Sequence, residues 1–363
     1  LARTEDGIGV VTREIPGVKV EGIMPLVHVL RTCPAVSAQA ACCDALHVIA
    51  THRRWAYVVC ELAGDKFVEM LQSDWLPAVL SAGRALGGLA RADQRARKML
   101  REAGVCPVLD GLLQDSSEDV RAMACVTMGA LARDTASAAI FVRIGTMRLL
   151  VHVMRTQSER MVSRAADTMR VLLRSMDLQV DFVRMDGFRA LSKMLASEVE
   201  EVQFAAGALL KKILRNPLVK EEAVKDPLLQ ELVDSLSDDA RGDVTRELVC
   251  DALRALSGNE SSVNMPYRAA LLKANFVPAA VRLLSSAAQG TRRAGAEAVA
   301  NMAVLPFVQE EAARLGAIPA LVDALTARAS GWALLVAACG ACARVCKQQP
   351  PNRFAARREG AVV

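Results

Sequence analysis

Aromatic side chains are scarce. Eight Phe, three Trp and two Tyr make up 4% of a 363-residue chain that is 52% hydrophobic. A core of that size with so few rings is built from Ala, Leu, Val and Met. Ala, Leu and Met are strong helix formers, and small or unbranched side chains suit helix-on-helix packing. Histidine is scarcer still. His28, His47, His52 and His152 accompany no recognisable nucleophile spacing, and His28 and His152 fall at nearly the same place in two copies of the repeat described below. There is no phosphate-cradling Gly-rich loop, Gly-x-Ser-x-Gly elbow or His-Glu-x-x-His run. These absences argue against an enzyme and against a bound cofactor.

Long apolar runs are missing too. The longest stretch without a charge, Ala329 to Ala343, is shorter than the ~20 residues that a membrane span needs. No leader is visible, and the first residue is Leu1; both ends read as cut, as expected of part of a longer protein. The net charge of +5 is mild and does not by itself imply nucleic acid. The basic cluster Arg95, Arg97, Lys98 and Arg101 lacks interleaved aromatics and reads as a solvated face. Several of the ten Cys, among them Cys42, Cys43, Cys125 and Cys250, sit in helical apolar patterns and read as reduced core residues of a cytoplasmic protein. The one metal-like spacing, Cys339-x-x-Cys342-x-x-x-Cys346, shares a helix face but has no nearby His and no loop. It reads as core packing, so no metal site is expected.

What the chain does have is a period. A Gly, or a polar stand-in, opens a short aliphatic helix at Gly22, Gly64, Gly104, Gly145, Gly187, Asp226, Asn275, Gly316 and Gly360, in steps of 42, 40, 41, 42, 39, 49, 41 and 44 residues. Gly permits the positive φ of a sharp turn between helices, and Asn tolerates it best among the others. Pro25, Pro107, Pro278 and Pro319 stand near the first turn, where no amide donor is needed. A second helix follows each short one, as over 119–133, 159–174, 201–215 and 292–304. In the first of these Val120, Ala124, Thr127, Met128 and Leu131 fall three or four apart, marking one buried face. A third, short helix precedes the next Gly, as over 137–144 and 307–315. The long step contains a loop-like insertion from Ser257 to Pro266, read as a passive surface loop.

Three helices in about 40–47 residues with a Gly-aliphatic-aliphatic-Pro opening resemble the armadillo repeat. The best copy runs from Arg293 to Ala303 and on to Gly316-Ala317-Ile318-Pro319. HEAT repeats are the runner-up, favoured only by segments such as Asp119-Val120-Arg121. The resemblance implies an all-α fold, a right-handed α-solenoid of about eight three-helix repeats. Residues 1–21 are expected to form a lead-in or partial repeat, 22–359 the array, and 360–363 the start of a further, truncated repeat.

In that family the third helices line a concave face, where an Asn can hold an extended peptide backbone. Only Asn301 occupies that place here; the equivalents are Val48, Gly88, Ala130, Val171, Lys212, Ala255 and Arg344. The Trp partners that importin alpha uses are missing as well, so a nuclear-import receptor is not expected. Three residues further on stand Arg91, Arg133, Arg174 and Arg215, spaced 42, 41 and 41 residues apart. Aligned in a groove, they would pair with an acidic partner segment. The competing reading is that each offsets the negative end of its own helix dipole. The expected function is a non-enzymatic scaffold that binds other proteins, with a ciliary, axonemal or cytoskeletal assembly as the first setting considered. The alternative is a transport or co-chaperone adaptor that binds and releases clients. No nucleic-acid or membrane partner is expected.

Overall fold

The computed structural model describes residues 20–238, 241–258, 264–327 and 330–360, so all but the last two residues of the expected lead-in over 1–21, and the last three residues of the chain, lie outside the described residues. Among the described residues there are 23 helices and no strand. The chain divides into two compact units, one up to Leu172 and one from Leu173. The first holds α1 (Val20–Thr32), α2 (Val36–Ala50), α3 (Arg53–Met70), α4 (Leu76–Ala92), α5 (Gln94–Glu102), α6 (Val105–Leu112), α7 (Glu118–Leu131), α8 (Thr135–Ile144), α9 (Thr146–Thr156) and α10 (Glu159–Leu172). The second holds α11 (Met176–Arg184), α12 (Gly187–Leu195), α13 (Glu200–Ile213), α14 (Pro217–Ala223), α15 (Leu228–Ser237), α16 (Asp243–Ser257), α17 (Met265–Lys273), α18 (Phe276–Leu283), α19 (Gln289–Met302), α20 (Pro306–Arg314), α21 (Ala317–Thr326), α22 (Trp332–Val345) and α23 (Pro350–Arg358).

Each unit is organised by its long helices. In the first, α2, α4, α7 and α10 pack in chain order, each on the next, with α1, α3, α6 and α9 against them. In the second, α13, α16, α19 and α22 do the same, with α12, α15, α18 and α21 against them. The amphipathic pattern explains this contact. On α7 Glu118 and Asp119 favour the positive end of the helix dipole, while Val120, Ala124, Thr127, Met128 and Leu131 are all buried, as their spacing predicts. Threonines on the long helices add polar ties: Thr127 Oγ1 donates to Gly83 O at 3.2 Å and Thr168 Oγ1 to Cys125 O at 2.8 Å. Phe141, four residues before Gly145, and Phe182, four before Asp186, fill the core below the turns.

The turns follow the period with informative exceptions. Gly145 has φ of 91°, ends α8 and opens α9, which turns away by 74°. Gly104, Asn275, Gly316 and Gly360 share that left-handed conformation. At Gly187 the expectation is displaced by one residue: Asp186 takes the positive φ, at 64°, and Gly187 is helical. Gly187 serves close approach instead, since a Cβ there would stand 2.5 Å from Phe182 O. Gly22 and Gly64 lie inside the continuous helices α1 and α3, so neither opens a helix. Asp226 caps instead of turning, accepting from the Leu228 amide at 2.9 Å. Asp238 lies at the C-terminal end of α15, paired with Arg241, and caps no helix start; its neighbour Asp239 is outside the described residues. Of the insertion, Ser257 ends α16 and Met265 opens α17, with 259–263 outside the described residues.

Among the described residues no single helix is long and apolar enough to cross a membrane. The pair α8 and α9 passes on length and composition only when joined across its bend.

Candidate partner-binding surface

The four periodic arginines are all exposed, two in each unit. Arg91 lies in the last turn of α4. Arg133, Arg174 and Arg215 stand just past the ends of α7, α10 and α13, which stop at Leu131, Leu172 and Ile213. Three of the four therefore occupy links rather than the expected last helical turn. Arg174 is engaged by a neighbour.

In the first unit the structure brings cations together. Burial lowers the Arg91 pKa, and the nearby Arg133 guanidinium lowers it further. Gly87 lies beside Arg91 on α4, where a Cβ would stand 3.1 Å from Thr127 Oγ1 of α7 and in ordinary contact with Arg91 Nη1. His47 of α2 faces α4 close by. Its pKa is lowered by burial, then by Arg91 and Arg84, with Asp44 opposing. Asp44 is already committed: it takes Arg84 Nη2 at 3.0 Å and Ser81 Oγ at 3.1 Å, tying α2 to α4. What remains beside it is a concentration of positive charge. Among the described residues neither Arg91 nor Arg133 has a carboxylate partner.

Several other arginines contrast with this pair. Arg31 meets Asp65 at 2.6 Å, Arg101 meets Asp134 at 2.5 Å and Arg160 meets Asp119 at 2.9 Å. The cluster on α5 is dispersed among separate contacts. Arg97 donates to Ala90 O at 2.6 Å, and Arg95 lies 5.7 Å from the Tyr57 ring centre.

In the second unit the long helices carry a self-neutralising charge network, at positions that match Asp44 and Arg84 of the first unit rather than Arg91. Asp251 of α16, whose side chain is 2% exposed, is met by Lys211 of α13 at 2.5 Å, Arg254 at 3.4 Å and Arg293 of α19 at 3.7 Å. Arg293 also holds Glu247 at 2.6 Å and Glu297 at 3.1 Å. Burial alone would lower the Arg293 pKa, but the Glu247 hydrogen bond and the charges of Glu297 and Asp251 raise it. Sequence reading missed this network, because the pairs that join one long helix to the next, such as Lys211 with Asp251 and Arg293 with Glu247, lie 40 or more residues apart. The available signal was opposite charge at nearby register positions of successive repeats. Asn301 is half-buried on α19, its amide without a hydrogen-bond partner among the described residues, next to Ala300 O, which accepts from Arg344 at 3.1 Å.

The cysteines are free thiols. Burial pushes Cys43 and Cys125 up to about 12 and Cys342 to about 11, so these groups stay protonated and unreactive at neutral pH. Cys342 and Cys346 pack in the core, but Cys339, Gly340 and Ala343 are exposed, contrary to the expectation of a packed α22. No group of three or more metal-ligating side chains occurs among the described residues.

No family model matches the chain, and no curated protein matches it. It is similar to two crystal structures of engineered proteins from the Northeast Structural Genomics Consortium. The first is 23% identical with a TM-score of 0.77, over 93% of this chain and 82% of that one. The second is 22% identical with a TM-score of 0.58, over 66% of this chain and 95% of that one. At such identity the likeness concerns the helical fold alone.

Proposed function

We propose that the chain is a right-handed α-solenoid of about eight armadillo-type repeats and acts, without catalysis, as a scaffold for other proteins. It captures an acidic partner segment, and the capture centres on Arg91 and Arg133. The observation that carries this reading is that the Arg133 charge acts on Arg91 while neither has a carboxylate partner among the described residues, whereas Arg31, Arg101 and Arg160 each have one. Like charges held near each other repel, and an external carboxylate relieves that repulsion while accepting paired N–H donors. Arg215 and Asn301 extend the candidate contacts in the second unit, whose other long-helix charges satisfy one another. The partner on this reading is a protein of a larger intracellular assembly, ciliary or cytoskeletal first.

The test is anisotropy of a labelled oligo-glutamate peptide on the whole chain. The Arg91→Glu, Arg133→Glu double variant is expected to weaken binding at least tenfold and to flatten its salt dependence. Unchanged affinity and salt slope would remove the assignment.

A further inference from the structure

The contact between α4 and α7 discriminates among the anions that its exposed end can hold. A Cβ on Gly83 would collide with the Met123 side chain, and one on Gly87 would stand 3.1 Å from Thr127 Oγ1, so the two helices run in one direction in a fixed register. Thr127 Oγ1 ties that register by donating to Gly83 O at 3.2 Å. Continued one turn, it sets Arg91 opposite Leu131, two residues before Arg133. The Arg91 guanidinium folds back over this seam, with Nη1 in ordinary contact with the place of a Gly87 Cβ, and the Arg133 charge is felt there. Both arginines are exposed. Both helices have a further long helix beyond them, α2 before α4 and α10 after α7, so this exposure belongs to the interior of the stack.

Every carboxylate close to the pair in sequence is engaged elsewhere. Asp93 accepts from the Arg95 amide at 2.6 Å. Asp134 takes Arg101 together with the amide and hydroxyl of Ser137. Asp44, across from α4, holds Arg84 and Ser81. Two guanidinium forks are thus left facing an anion from outside. One carboxylate offers two oxygens and a single charge, which one fork already occupies. Two carboxylates set as close together as these guanidiniums would repel each other. A phosphate monoester carries about −1.5 to −2 charges and three terminal oxygens on one group, enough to take a fork from each side.

We propose that Arg91 and Arg133 together clamp one phosphate monoester, so that the partner segment captured here is a phosphorylated one, with a phosphoserine or phosphothreonine set between the two forks. The assignment rests on the acidic-segment reading and narrows it from acidic side chains in general to a single dianionic group flanked by them. Arg is suited to this role where Lys is not, because its planar fork fixes the direction of both hydrogen bonds.

Anisotropy titrations of the whole chain test it, with three labelled peptides that share one Glu-rich frame and carry Ser, Glu or phosphoserine at the centre. The phosphoserine peptide is expected to bind at least tenfold more tightly than the Glu peptide. The Arg91→Lys, Arg133→Lys double variant keeps both charges and lacks the forks. It is expected to bring those two affinities within threefold of each other, with the circular dichroism unchanged because both sites are exposed. Phosphoserine and Glu peptides that bind the wild-type chain alike would overturn the inference and leave the acidic-segment reading standing. So would a preference that survives the Lys substitutions, which places the phosphate elsewhere. Inorganic phosphate that displaces the phosphopeptide at the peptide's own half-saturating concentration would overturn the assignment to a peptide. A set in which no peptide binds at all removes the acidic-segment reading and the phosphate clamp with it.

Discussion

Single side chains set the chemistry of the candidate surface, and His47 shows how. Its Nδ1 is buried without a hydrogen-bond partner, in a space that exists only because Gly88 lacks a side chain; a Cβ there would lie 2.6 Å from that nitrogen. Burial, and then Arg91 and Arg84, hold its pKa below the ordinary value of 6.5, with Asp44 the opposing charge. The unfolded chain therefore binds a proton at this residue more readily than the folded chain does. Its contribution to stability is complete above pH 6.5 and is lost as the pH falls from there through the folded-state value. Urea unfolding midpoints at pH 7.5 and 5.5 are expected to show lower stability at the acid end, and His47→Gln should remove part of that slope. The other three histidines are exposed. An identical slope in the variant would assign the pH dependence to other groups. The same principle explains why buried thiols such as Cys125 are inert: the surroundings that pack them also suppress the thiolate.

Between residue and molecule stands the helix with its turn, where the sequence was most legible. A period near forty residues, the aliphatic helices that follow Gly104, Gly145, Asp226, Asn275 and Gly316, and the buried face of α7 are local patterns that correspond to helices that form. Gly145 is required by its left-handed backbone alone, because a Cβ would meet nothing within 4 Å. Gly145→Ala is thus expected to cost ~1–2 kcal/mol and Gly145→Asn less, through conformation rather than collision. Gly111, inside α6 and equally free of neighbours, should respond oppositely, with Ala there stabilising by about 0.5–1 kcal/mol. Thermal unfolding of the three variants checks both signs. Gly64 and Gly187 were not legible as what they are. A glycine inside a helix and one opening it look alike when spacing is the only evidence, and what distinguishes them is a neighbour such as Phe182. The arginine row was legible as a spacing and not as an environment. Nothing local to Arg91 announces Arg133 or His47, and nothing local to Lys211 announces Asp251. Those relations arise only when one long helix is laid on the next.

Across the whole chain, the contacts that matter within each unit run between consecutive helical groups, so stability is assembled from neighbouring terms more than from one shared centre. This bears on how damage spreads. Phe276 is fully buried on α18, against α19 and near α15, α17 and α20. Phe276→Ala is expected to cost about 3–5 kcal/mol locally, from lost burial and the cavity left behind. In a body with a single cooperative core that loss would raise amide exchange everywhere. Here exchange should quicken in α18 and α19, extend to α15, α16, α21 and α22 through direct packing, and leave α12 and α13, two groups away, at their original protection. Hydrogen exchange read by mass spectrometry resolves these helices as separate peptides. A uniform loss of protection across α12 to α22 would mean that the second unit unfolds as one body, and that its helical groups do not act as separable platforms for different partners.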